Sequence, residues 1–199
     1  MGFVLILFAK QQMTLVQEIF TILNSPTYYP LQTKMGYCWP EQIKVIIESH
    51  GKSYYKNEIF YTDTLLQKIV WGMLPWQILK LLKKYWFHAK VWFLKWKKDQ
   101  KISYLKHKLQ AWPIVLMITH AYDAKIRFNL LRALWFHHYI SIWWYNEKEE
   151  IFYVYDSSIS TKIRKDIPIG NTTFTYDELI RYWKFPVFWL VRNMYISLG

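Results

Sequence analysis

Cysteine, glycine and long apolar runs are all scarce in this 199-residue chain. One cysteine closes no internal disulfide and builds no structural zinc site. The histidines outside the 137–138 pair (His50, His88, His107 and His120) are scattered without ligand spacing, so no metal is expected. Six glycines leave no glycine-rich phosphate loop, and no nucleotide cofactor is expected either. The apolar run Phe3–Ala9 falls well short of the roughly 20 residues a membrane-spanning helix needs. It also lacks a basic segment before it and a small residue two positions before Ala9, which argues against a signal peptide. With a lone thiol, these features favour a cytoplasmic protein without a transmembrane segment. No repeat, low-complexity tract or Gly/Ser linker invites a cut, so residues 1–199 read as one domain with 1–27 as an N-terminal extension.

Acidic residues are also scarce, 14 against 26 Lys plus Arg, for a formal charge of +12. Such an excess attracts nucleic acid, anionic lipid or acidic protein at long range without choosing among them. Much of it lies between Lys80 and Lys108, where solvated helix and strand faces are the plain explanation. What is abundant is aromatic: twelve Trp, sixteen Tyr and twelve Phe within a 53% apolar composition that excludes intrinsic disorder. The tryptophans fall mostly on faces expected to point inward, which disfavours a role in stacking nucleic-acid bases.

Periodicity and punctuation sketch the elements. Thr14–Leu23 reads as a short helix, and Tyr28–Leu31 as extended because a residue before proline avoids the helical region. Pro40 suits the first turn of a helix whose Ile43, Ile46 and Ile47 recur until His50-Gly51, placing Cys38 at or just before that helix's N-terminus. A second helix over about Pro75–Phe87 turns Ile78, Leu79, Leu82 and Trp86 inward. Val91–Trp96 alternates as a strand, Ser103–Gln110 reads as a short helix, and Pro113–Ile118 as a buried strand. His138–Tyr145 and Ile151–Asp156 form a hairpin around the polar Asn146–Glu150. Thr175–Glu178 has capping-box spacing and opens a helix through Trp183, and Val187–Val191 is a last strand. The result is an α+β pattern, N-terminal helices on a mostly antiparallel sheet.

Chemistry enters through Cys38. A thiol attacks as thiolate, and a helix N-terminus stabilises that anion through its unsatisfied N–H groups. A base must reach the sulfur and a third group must hold the base. Antiparallel pairing in the hairpin brings His138, at the start of one strand, beside Asp156, at the end of the next. His137 is the rival base, and alternation places His138 rather than His137 on the face of Ile140 and Ile142. Asp156 has a plainer reading as a cap for the turn at Ser157-Ser158, and Cys38 as a small buried hydrophobe. Gln32, on the loop leading to the cysteine, offers a side-chain amide to a developing oxyanion.

The stretch Gln32–Pro40, with Gly36 two residues before the cysteine and Trp39 directly after it, resembles the nucleophile segment of papain-fold cysteine peptidases. Pro40 brings it nearer the bacterial branch that includes the double-glycine-leader, bacteriocin-processing peptidases. The segments from His138 to Tyr145 and from Phe152 to Ser157 are similar to that branch's histidine and aspartate strands. The resemblance implies a papain-like fold with Cys38 as nucleophile, His138 as base and acid, Asp156 as its orienter and Gln32 in the oxyanion hole. Trp39 and Trp144 stand where that branch typically has glycine. A cysteine peptidase or related amide hydrolase acting on a peptide or protein substrate, acidic by charge preference, is the leading expectation. A non-catalytic basic and aromatic binding module for nucleic acid or an anionic surface, or a transglutaminase-like acyltransferase, are the alternatives.

Overall fold

The computed structural model describes residues 29–31, 38–52, 75–119, 137–159, 167–183 and 193–198. Helix α1 (Cys38–Ser49) carries the isoleucine stripe expected of it, with Ile43, Ile46 and Ile47 fully buried. It stops where Gly51 turns left-handed at φ 69°, with Lys52 N–H donating to Ile47 O and Gly51 N–H to Glu48 O, the paired bonds of a Schellman motif. Helix α2 (Pro75–Lys84) buries Ile78, Leu81 and Leu82. Trp86 is a correction to the inward stripe. The helix ends two residues before it, and Trp86 takes φ 66°, so its ring swings out to 87% exposure while Phe87 fills the interior place.

Strand β1 runs over Ala89–Phe93 rather than to Trp96, because its partner strand begins at Met194, opposite Phe93. Helix α3 (Lys98–Leu109) starts five residues before the expected Ser103. Its first turn was hidden by charge: Lys101 is buried, donating to Asn193 Oδ1 at 2.7 Å with its ammonium over the Trp183 ring. Strands β2 (Ile114–Thr119), β3 (His137–Asn146) and β4 (Ile151–Tyr155) match the expected pattern, and β5 (Thr172–Thr175) follows. Helix α4 (Tyr176–Trp183) opens on the expected capping box. Thr175 N–H donates to Glu178 Oε2 at 2.9 Å and Glu178 N–H to Thr175 Oγ1 at 3.2 Å. Strand β6 (Met194–Leu198) was not foreseen. The expected helix at 14–23 and strand at 187–191 lie outside the described residues.

The six strands form one antiparallel sheet in the order β1-β6-β2-β3-β4-β5. Helix α1 packs on β3, α2 on β1, and α4 on β2 and β5. This is an α+β architecture in which the cysteine helix lies against the histidine strand. Central β2 and β6 are almost wholly apolar and buried, which sets a firm base for the hairpin beside them. The β3–β4 register runs from Ser141↔Tyr155 to Asn146↔Ile151, with a bulge between Ile142 and Trp144.

Candidate active site

Cys38 is the first residue of α1, where the helix's leading N–H groups lack intrahelical partners and favour negative charge. Pro40 follows in the first turn, and the bulky Trp39 is buried rather than left across an opening. Trp144 is likewise buried and stacks on Tyr145 beside the bulge. Helix α1 is fixed to β3 by a buried polar chain: Trp143 Nε1–H donates to Ser141 Oγ at 2.9 Å, and Ser141 Oγ–H donates to Gln42 Oε1 at 2.6 Å. Gln42 lies one turn beyond Cys38 and Ser141 three residues beyond His138. The register between the thiol and the imidazole is therefore set by hydrogen bonds as well as apolar packing.

His138 Nε2 lies 2.6 Å from Asp156 Oδ1, with both side chains buried. The same imidazole is hydrogen-bonded to the side chain of Cys38. With Nε2 committed to the carboxylate, Nδ1 is the nitrogen that can serve the sulfur. Burial alone would strip the proton from this imidazole. The bonds to Asp156 and Cys38, with their negative charges, overcome that and push its pKa up to about 10. Asp156 shows the mirror image. Burial would raise its pKa, but the bond and charge of His138, with bonds from Ser158, hold it below the ordinary value. Burial and the Cys38 charge both push the Tyr139 phenol upward, so it stays neutral beside the pair.

The two readings of Asp156 prove compatible. Its Oδ1 accepts from Ser158 N–H at 2.8 Å and Ser158 Oγ–H at 2.6 Å, so it caps the turn and holds the histidine with one oxygen. Its main chain is clamped by Asn171, which was not foreseen. Asp156 N–H donates to Asn171 Oδ1 at 2.8 Å, and Asn171 Nδ2–H donates to Asp156 O at 2.8 Å. Next to the clamp, Gly170 at φ 88° brings its Cα against β4, and a β-carbon there would lie 2.3 Å from Val154 O. The Gly170-Asn171 pair is a turn signal, and the positive φ together with the clash explains why glycine is required there. Cys38, His138 and Asp156 are thus brought together. Gln32 lies outside the described residues, as do the side chain of His137 and the stretch on which the oxyanion site would be built. Among the described residues no cluster of His, Cys, Asp and Glu could hold a metal.

A buried thiol at a helix start, a charged imidazole and a carboxylate in one chain of bonds is an arrangement able to carry out nucleophilic acyl transfer. Solved structures agree with the architecture. The peptidase domain of Streptococcus ComA, a bifunctional ABC transporter involved in a quorum-sensing pathway, superposes with a TM-score of 0.51 at 11% identity, covering 86% of this chain and 97% of that one. The fold is papain-like, similar to that of C39-type peptidase domains. A double-glycine-motif protease from an AMS/PCAT transporter, solved with a leader peptide, gives 0.51 at 12% identity over 87% of this chain and 92% of that one. A C39-like peptidase from Bacillus anthracis gives 0.56 at 13% identity over 86% and 93%. No family model matches the sequence, and neither does any curated protein. The likeness is therefore one of fold, at 11–13% identity. Among the described residues no helix is long and apolar enough to cross a membrane.

Proposed function

We propose that this protein is a cysteine peptidase, or a closely related amide hydrolase, whose catalytic unit is Cys38, His138 and Asp156. The observation that carries the reading is the single imidazole bonded at once to Asp156 Oδ1 and to the Cys38 side chain. The peptidase identity of the structural neighbours supports it. In the proposed reaction the Cys38 thiolate forms a C–S bond to the substrate carbonyl carbon. The resulting oxyanion is held by the Cys38 backbone N–H and the Gln32 side-chain amide. The His138 imidazolium gives its proton to the leaving amine as the C–N bond breaks, leaving a thioester. Water then attacks that thioester while His138 takes up its proton. The C–S bond breaks, the acid product departs, and the thiolate–imidazolium pair is restored.

Asp156 acts throughout by holding His138 in orientation and stabilising its charge. The substrate proposed is an extended peptide or a protein segment. One structural neighbour was solved with a leader peptide bound, which supports a peptide substrate, and the +12 charge favours acidic sequences.

The test is incubation of the full chain with matched acidic and basic peptide libraries, reading new termini by mass spectrometry. The expected result is cleavage weighted to acidic peptides and absent from Cys38→Ala. Asp156→Asn is expected to keep the fold and lower kcat by about 10²–10⁴-fold. Gln32→Ala is expected to lower it on the order of 10²-fold or more. Cleavage that persists in Cys38→Ala, or none by the wild type in either library, would count against the reading.

A further inference from the structure

Helices α1 and α2 end in the same motif with different residues at its critical position. In α1 the left-handed residue is Gly51. In α2 it is Trp86, with Phe87 N–H donating to Leu82 O at 3.1 Å and Trp86 N–H to Lys83 O at 2.9 Å. That position favours glycine, because a β-carbon crowds the backbone there. Trp86 therefore works against stability through its backbone and recovers little through its ring, which is 87% exposed. A strained, outward-pointing tryptophan suits an external contact better than it suits the fold.

Its surroundings share one chemistry. From Pro75 to Lys98 every fixed charge is a lysine, without an arginine or a carboxylate. Trp76, Trp92, Phe93 and Trp96 are exposed along the same stretch, and for the tryptophans this is contrary to the mostly inward placement expected from the sequence. Trp76 and Lys80 are four residues apart on α2, hence on one helix face. Trp92 and Phe93 are neighbours on β1, which ends the sheet among the described residues, so they project from opposite sides of it and both remain half exposed.

We propose that this margin, formed by α2, its closing turn and β1, docks onto an anionic phospholipid bilayer. Tryptophan rings favour the zone between acyl chains and headgroups, where an apolar body and a polar N–H are both accommodated. Lysines with long apolar stems reach from there to anionic headgroups. A strand edge exposing aromatics on both sides is suited to sinking into an interface. Single-stranded nucleic acid would call for rings ranked along a basic groove. Each lysine at an anionic surface contributes on the order of fivefold in affinity.

The test is sedimentation of the full chain with phosphatidylcholine vesicles, with and without phosphatidylserine. The expected result is binding that requires phosphatidylserine, weakens with added salt and shifts tryptophan emission to the blue. Lys83→Glu is expected to lower affinity at least tenfold, whereas Lys148→Glu, the same charge change at the β3–β4 turn, has a smaller effect. Trp86→Gly separates the roles most cleanly. It is expected to raise the urea midpoint while weakening vesicle binding roughly tenfold, the result of relieving the backbone and removing the ring. Cys38→Ala is expected to bind as the wild type does, since docking is independent of the proposed peptidase chemistry. Binding equal on neutral vesicles, binding unchanged in Trp86→Gly, or displacement from vesicles by a single-stranded oligonucleotide would overturn the proposal.

Discussion

Replacing His138 with alanine is expected to lower peptide turnover by about 10⁴–10⁶-fold, and adding Cys38→Ala to that variant is expected to change little more. The imidazole is coupled to both other members, so its loss removes the proton donor for the leaving amine and the positive charge beside the sulfur together. Either single substitution leaves only the binding and oxyanion contributions, and two losses from one unit do not multiply. Initial rates of the single and double variants on one responsive peptide measure this, provided each keeps the wild-type thermal transition. Roughly multiplicative losses would mean that thiol and imidazole act separately. A His138→Ala variant that stayed active beside an inactive His137→Ala would place the base one residue earlier on β3.

Gly170→Ala is expected to destabilise the fold by about 3 kcal/mol or more, a large share of a typical domain's stability. A left-handed backbone alone costs an L-residue roughly 1–2 kcal/mol. Here the new β-carbon would also lie 2.3 Å from the Val154 carbonyl oxygen and 2.7 Å from its carbon, both backbone atoms of β4. Neither can rotate away as a side chain would, so the Gly170–Asn171 turn must shift. Asn171 N–H is bonded to Val154 O, and the Asn171 side chain holds Asp156 on both main-chain sides. The shift therefore loosens the carboxylate that orients His138, and activity is expected to fall with stability. Gly51→Ala is the control, because it shares the positive φ but nothing lies within 4 Å of the added carbon. It is expected to cost about 1 kcal/mol. Urea midpoints measure both, and equal losses would show that the close approach to Val154 carries no weight.

The parts of this fold that rest on local chemistry were legible in the sequence. Pro40 with its isoleucine stripe marked α1, the polar turn at Asn146–Glu150 marked the hairpin, and Thr175 with Glu178 marked the start of α4. The hairpin alone put His138 near Asp156, because antiparallel pairing joins the start of one strand to the end of the next. Contacts between distant segments left weaker marks. The stripe of Ile78 and Leu82 points to Trp86 only while the helix continues, and a turn fixed by main-chain bonds ends it first. Lys101 reads as a surface residue until Asn193 and the Trp183 ring are folded against it. The grip of Asn171 on Asp156 joins two loops, and no period or spacing reports it. Gln32 is assigned only through its place on the loop before the cysteine, and it lies outside the described residues.

The most direct measurement is the rate of iodoacetamide alkylation against pH, for wild type and His138→Ala. Cys38 is the only thiol in the chain, so incorporation reports one site and requires no substrate. The bonds from Asp156 and Cys38 push the His138 pKa upward, which favours the charged imidazolium beside the sulfur. Near pH 6 an ordinary thiol is almost entirely protonated and reacts slowly. The account predicts that native Cys38 already reacts rapidly there, that His138→Ala slows it by on the order of tenfold or more, and that the two variants converge as pH rises toward 9. Native alkylation that follows free cysteine at every pH and is indifferent to His138→Ala would contradict it, and would make Cys38 a buried residue of the core.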